Sequence, residues 1–119
     1  MRIGITTFPE NSFEIWQRTG MTSIVRLYKD LQTDVVADET RLTANMVEVY
    51  MPQYDGLYND VLNDFEYYWT EGLKLELEQA KIKKREEIKS QLLTVDYSVL
   101  MARYKAVDEA MTVEEVELI

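Results

Sequence analysis

The acidic residues between positions 60 and 71 are the side chains best suited to chemistry in this 119-residue chain. Asp60 and Asp64 are one helical turn apart and Glu71 follows about two turns later, so a helix would place all three on one face. Such carboxylates can hold Mg²⁺ for phosphate chemistry. The same spacing is typical of a solvated helix face, and the sequence offers no second metal-binding helix. We therefore expect no metal site.

Other catalytic and cofactor signatures are missing from the sequence. The chain contains no cysteine and no histidine, which excludes thiolate nucleophiles, cysteine-ligated zinc and histidine-based proton relays. Its four glycines do not form a dinucleotide-binding or phosphate-binding loop, and no serine has an activating lysine three residues downstream. The sequence predicts a protein that is not an enzyme and that uses no cofactor.

The net charge of −9 is unevenly distributed along the chain. Residues 54–80 hold seven acidic residues and one basic residue, whereas residues 81–91 hold five basic and two acidic residues. An acidic chain does not neutralise phosphates, which argues against direct binding of nucleic acid or of an anionic membrane. The basic block is typical of a solvated or ion-paired helix surface; alternatively, it docks the acidic block of another copy in head-to-tail association.

Hydrophobic spacing predicts one mainly helical domain over residues 1–119. Residues 1–8 alternate like a short extended or β arm, residues 9–52 fit short helices, and residues 96–119 fit C-terminal helices. Residues 55–93 contain no proline and predict one long helix of about 58 Å, longer than the roughly 35 Å diameter of a compact domain of this size. We expect an elongated helical bundle built around this long helix.

Residues 54–72 hold six of the thirteen aromatic side chains and no Lys or Arg. On a helix, the apolar side chains of this region form an arc too wide for one neighbouring helix. Either the chain's other helices cover the whole arc, or a second subunit covers part of it. The residues expected to contact a partner are apolar side chains of the arc and basic side chains beyond it: Tyr58, Phe65, Tyr68, Trp69, Leu75, Lys83, Lys84 and Arg85.

These features predict a structural or assembly adaptor protein that acts through protein–protein contacts with itself or with other assembly subunits. An overlong helix in a short, acidic, motif-free chain suggests a virus or phage particle component. An alternative is an acidic inhibitor of a DNA-binding enzyme, in which Asp60, Asp64, Glu71 and Glu78 imitate phosphates. No apolar run approaches the ~20 residues of a membrane span, so the expected location is the cytoplasm, or the host cytoplasm or virion if the protein is viral.

Overall fold

A computed structural model describes residues 1–17, 21–91 and 96–119. These residues fold as α+β: four strands come first, with a short 3-10 helix at Glu10–Ser12 between the first two, and four α-helices follow. The strands are β1 (Arg2–Ile5), β2 (Phe13–Gln17), β3 (Thr22–Val36) and β4 (Glu39–Pro52), and the helices are α1 (Leu57–Asn63), α2 (Phe65–Lys89), α3 (Tyr97–Glu109) and α4 (Val113–Glu117). The chain divides into two compact units, Met1–Leu73 and Lys74–Ile119.

The first unit is built on a four-stranded antiparallel sheet with the strand order β1-β4-β3-β2. In β4, Val47 and Val49 alternate with Glu48 and Tyr50, so one face of the strand is apolar and the other is mixed. The apolar face of the sheet packs against α1 and the start of α2. The buried side chains of this core are Phe13, Val25, Leu27, Val47, Leu57, Val61 and Tyr68.

The second unit packs the later part of α2 with α3. Its core is a small cluster of Ile88, Leu100 and Val107, with Tyr104 and Ile119 packed against it. Local hydrogen bonds start both of the following helices. A side-chain oxygen of Asp96 accepts from the Ser98 N–H at 2.8 Å, and the Thr112 hydroxyl oxygen accepts from the Glu115 N–H at 3.1 Å. The hydrogen bonds from Ser98 hold the pKa of Asp96 below its ordinary value.

The prediction of a mainly helical bundle is wrong, because most of residues 9–52 form the strands β2, β3 and β4. Strands with apolar residues on both faces produced the error. Ile24, Leu27 and Tyr28 have helix-like spacing, yet in β3 Ile24 and Tyr28 lie on the face opposite Leu27. The expected short helices do not form here because pairing with distant strands satisfies the same backbone groups.

The single long helix predicted over residues 55–93 is also wrong. The helix is interrupted at Asp64, where φ is −121° and ψ is 37°, and α2 then continues through Gly72 to Lys89. The predicted end at residue 93 lies outside the described residues. The 25 residues of α2 span roughly 38 Å, so most of the mismatch with the domain diameter of roughly 35 Å is removed. The viral or phage origin was inferred from that mismatch, and the α+β structure does not support it.

The turn between β3 and β4 leads to a prediction about stability. Val36 pairs with Glu39, and the two turn residues between them, Ala37 and Asp38, have positive φ of 51° and 65°. Two-residue hairpins of this geometry prefer Asn-Gly, because an alanine with positive φ is strained. We expect the double substitution A37N/D38G to raise the free energy of unfolding by about 1 kcal/mol in chemical denaturation.

The matched control for the turn is Glu39→Gly, one residue further along in regular strand geometry. Glycine there only adds freedom to the unfolded chain, so E39G is expected to lower stability. Equal effects of the two glycine-bearing variants would contradict the role assigned to the positive φ values.

Candidate functional site

The face of the sheet opposite α1 and α2 carries an ordered set of aromatic and charged side chains. Two rows run across the strands. Trp16, Ile24 and Tyr50 are cross-strand neighbours in one row, and Glu14, Arg26 and Glu48 are neighbours in the next. We call these six residues the open face. Trp16 is 53% exposed to solvent and Tyr50 is 44% exposed in the described part of the chain.

The charged row holds the aromatic row in place. The Arg26 Nε donates to Glu48 Oε1 at 2.9 Å, and its guanidinium carbon lies 5.2 Å from the centre of the Trp16 ring. The indole N–H of Trp16 donates to Glu14 Oε2 at 2.9 Å, and the Tyr50 hydroxyl donates to Glu48 Oε2 at 3.3 Å. The exposed aromatic rings are therefore oriented by hydrogen bonds before any partner arrives.

Tyr28 continues this face beyond the charged row. Its hydroxyl donates to Glu14 Oε2 at 3.2 Å, and its ring packs edge-on against Phe8 with the ring centres 6.3 Å apart. Burial of the hydroxyl, and secondly the negative charge of Glu14, raise the pKa of Tyr28 above its ordinary value. Tyr28 therefore stays neutral and keeps donating to Glu14 at physiological pH.

The open face carries residue types that are common in protein interfaces. Trp, Tyr and Arg are the residues that most often dominate binding energy between proteins. The Trp16 indole N–H, the Arg26 Nε–H and the Tyr50 hydroxyl already have hydrogen-bond partners on the face, so these three groups keep a partner when the face is covered. Covering the face therefore costs less than it would if these groups were bonded only to water.

A cavity of about 310 Å³ beside the bulge of β3 is less suited to binding. Its two charged lining groups are already bonded to residues outside the lining: Lys29 to Glu66 at 2.7 Å, and Asp30 to Asn45 at 2.9 Å. Ligand sites generally present several polar groups that converge on the ligand. Lys29 and Asp30 are instead engaged by side chains outside the cavity, so the open face is the stronger candidate.

The four aromatic residues predicted to contact a partner lie in the first unit, on the side of the sheet that faces the helices. Tyr58 packs against Phe13, with the ring centres 4.9 Å apart, and its hydroxyl accepts from Asn11 Nδ2 at 2.7 Å. Phe65 and Trp69 stack on each other with their ring centres 6.3 Å apart, and both pack against the core. Tyr68 is a core residue, only 8% exposed.

The remaining predicted contact residues lie on the part of α2 in the second unit. Leu75 is half-buried and Lys83 is exposed. The Lys84 side chain is 15% exposed and its Nζ lies 3.4 Å from Glu87 Oε2. Arg85 forms two hydrogen bonds with Asp108 Oδ1, the one from Nε measuring 3.1 Å. The structure thus places the predicted residues in two groups, and whether they bind a partner stays a prediction.

The acidic row from Asp60 to Glu78 does not lie on one regular helix, because the break at Asp64 separates α1 from α2. Asp60 accepts a short hydrogen bond from the Tyr54 hydroxyl, which raises the pKa of Tyr54 above its ordinary value. Among residues 1–17, 21–91 and 96–119, no group of three or more acidic side chains is placed to hold a metal ion.

Sequence reasoning missed the residues of the open face because residues 9–52 were interpreted as short helices. One signal could have identified them. The segment Val47–Met51 alternates strictly between aliphatic residues and Glu48 or Tyr50, which is the pattern of a half-buried strand. That pattern would have placed Glu48 and Tyr50 together on one face, although it would not have supplied their neighbours Trp16 and Arg26.

The fold and the open face define an α+β protein with an antiparallel sheet that is packed by helices on one side. Comparisons with protein-family models, with curated proteins and with solved structures found no match. In the part of the chain that the structure describes, no helix combines the length and apolar content required to cross a membrane.

Proposed function

We propose that this protein is a structural or assembly adaptor that binds a second copy of itself through the open face. One observation carries the proposal. Trp16 and Tyr50 are exposed on either side of Ile24, on a sheet face where Arg26 pairs with Glu48 and Glu14 accepts hydrogen bonds from Trp16 and Tyr28. Two sheets commonly pack face to face at a distance of about 10 Å, and a symmetric dimer uses the same patch on both subunits.

A second copy fits this face because the face contains both signs of charge. Arg26 lies between Glu14 and Glu48 in the charged row, so rotation of one copy about a two-fold axis can bring each Arg26 near a carboxylate of the other copy. The aromatic rows would then supply the apolar contact at the centre of the interface. We propose the cytoplasm as the location of this assembly. The chain has no cysteine and therefore no disulfide, and proteins without disulfides are typical of this reducing compartment.

The proposal predicts that Trp16→Ala weakens self-association. Removing a central tryptophan typically costs about 2 kcal/mol of binding, or roughly a 30-fold rise in the dimer Kd. Light scattering coupled to size-exclusion chromatography over a range of protein concentrations measures the mass directly. A 14.0 kDa monomer at every concentration of the unmodified protein would overturn the proposal.

The matched control is Tyr97→Ala, which removes an aromatic ring that is 72% exposed on α3, an element of the second unit. We expect Y97A to associate as the unmodified protein does. The indole of Trp16 provides a second measurement, because its fluorescence should shift to shorter wavelength as dilute protein is concentrated. The variant W16F keeps only Trp69 as a reporter and should lose that shift.

A further inference from the structure

The end of the β3–β4 hairpin is a two-stranded ribbon with no third strand beside it in the described residues. β2 pairs with β3 only from Ser23 to Leu27, and β1 pairs with β4 from Leu42 to Asn45. We call residues Leu31–Arg41 the hairpin arm. All of them are exposed, including Val35 at 71%. A ribbon of this kind presents backbone donors and acceptors along both edges.

The register shows which backbone groups of the arm point outward. Val36 and Glu39 flank the two-residue turn and form a hydrogen-bonded pair, so the next pair, Val35 and Thr40, is not hydrogen-bonded across the ribbon. The backbone groups of Val35 therefore point away from β4. The outer edge of β4 follows the same alternation, in which even-numbered residues such as Thr40 point away from β3. Met46, another even-numbered residue of β4, exchanges backbone hydrogen bonds of 2.7 and 3.1 Å with Met1, which lies outside the hairpin.

The outer edge of β3 is thus available from Leu31 to Val36 in the described structure. The extra residue between Lys29 and Gln32, with Asp30 at φ 57°, ends the regular ladder just before this segment. On the segment itself, Thr33 and Val35 lie on one face of the ribbon and Asp34 lies on the other. An added strand would meet β-branched side chains on one face and a carboxylate on the other.

The charge of the arm selects the kind of strand that can be added. The arm holds three acidic residues, Asp34, Asp38 and Glu39, and one basic residue, Arg41, whose guanidinium is 3.9 Å from Glu39. Edge-to-edge pairing of two arms would therefore bring two acidic ribbons together, and like charges on neighbouring strands repel. The chain's own basic cluster, residues 81–89, is helical and cannot serve as an extended strand.

We infer that the hairpin arm accepts an extended, basic segment of a different protein as an additional strand along the outer edge of β3. Backbone hydrogen bonds to Thr33 and Val35 supply the pairing, and a Lys or Arg beside Asp34 supplies the selectivity. This inference uses a surface separate from the open face and does not depend on self-association.

The probe is a fluorescently labelled heptapeptide in which lysine alternates with valine and threonine. We expect its fluorescence anisotropy to rise on addition of the full-length protein, and the affinity to fall as salt is raised through the range in which surface charges are screened. Amide hydrogen exchange at Thr33 and Val35 should slow when the peptide is bound. A peptide with glutamate in place of lysine should not bind.

The decisive variants are Val35→Pro and Val35→Thr. Proline removes an outward N–H that the hairpin itself does not use, and threonine keeps that N–H together with a branched side chain. We expect V35P to bind the peptide at least about fivefold more weakly than V35T, since one backbone hydrogen bond is lost and the ring obstructs the edge. Equal affinities, or equal binding of the glutamate peptide, would overturn the inference, as would no binding at millimolar peptide.

A second variant covers the case in which V35P disturbs the arm. Asp34→Asn keeps the size of the side chain and removes its charge, so it should weaken binding by about two- to fivefold at low salt and have little effect at high salt. Unchanged affinity at low salt would overturn the charge selectivity. The mass of V35T and D34N in solution should match that of the unmodified protein, which separates a failure here from a failure of the proposed self-association.

Discussion

Replacing Gly72 with alanine is expected to destabilise the first unit by about 2–3 kcal/mol. A Cβ at this position would lie 2.5 Å from Val47 Cγ2 and 2.7 Å from Val47 Cβ, closer than real carbon contacts. Val47 is buried in β4 and cannot retreat, so α2 must move away from the sheet. This cost exceeds the gain of about 1 kcal/mol that alanine usually brings to a helix interior. Chemical denaturation followed by tryptophan fluorescence measures the change.

Gly4→Ala is the matched control for this substitution. The nearest atom to a Cβ at Gly4 is the Leu42 carbonyl oxygen at 3.9 Å, an ordinary contact. We expect the free energy of unfolding of G4A to stay within about 0.5 kcal/mol of the unmodified protein.

The clash at Gly72 can be tested further by a double-mutant cycle. Val47→Ala removes the closer of the two clashing carbons, so the double variant G72A/V47A should be more stable than the sum of the single effects by at least about 0.5 kcal/mol. Strict additivity would show that Gly72 is needed for a reason other than close packing on β4.

Ile88→Ala is expected to lower the free energy of unfolding of the second unit by about 2–4 kcal/mol. Ile88 is fully buried against Leu100 and Val107, and these three side chains make up the buried cluster of the unit. A unit of this size has little stability to lose. We therefore expect I88A to lose most of the helical circular-dichroism signal of α3 and α4 at ordinary temperature.

The chain offers a control of the same residue type on the same helix. Ile82 is 51% exposed on α2, and I82A should change stability by no more than about 0.5 kcal/mol. Both tryptophans, Trp16 and Trp69, belong to the first unit, so their fluorescence should remain that of the folded protein in I88A. Loss of the fluorescence and helical signals together would contradict the expectation that the loss of structure in I88A is confined to the second unit.

None of the residues of the open face was predicted from the sequence. The inference that this chain acts through protein contacts used its abundant aromatic residues. It concentrated on the predicted long helix, which would have carried both Tyr58 and Trp69. The structure adds a different surface, in which Trp16, Arg26 and Tyr50 come from three strands. No local spacing connects these residues, since Trp16 and Tyr50 are brought into one row only by their common neighbour Ile24.

Two kinds of information were present in the sequence by itself. The lack of cysteine and histidine excludes whole classes of chemistry whatever the fold. The caps of α3 and α4, at Asp96 and Thr112, are also local information, because each cap joins groups only two or three residues apart.

Apart from the alternating segment Val47–Met51, the tertiary structure alone decided whether residues 22–52 were helix or strand. It also decided whether Gly72 interrupted a helix or allowed close packing. Apolar residues on both faces of β3 and β4 match a helical period as well as a strand period, so the choice depends on which distant segments pair. Val47 and Gly72 are 25 positions apart, and the need for a glycine becomes visible only once α2 lies on β4. Side-chain spacing specifies local hydrogen bonds, whereas strand pairing and packing are settled by contacts between segments far apart in the chain.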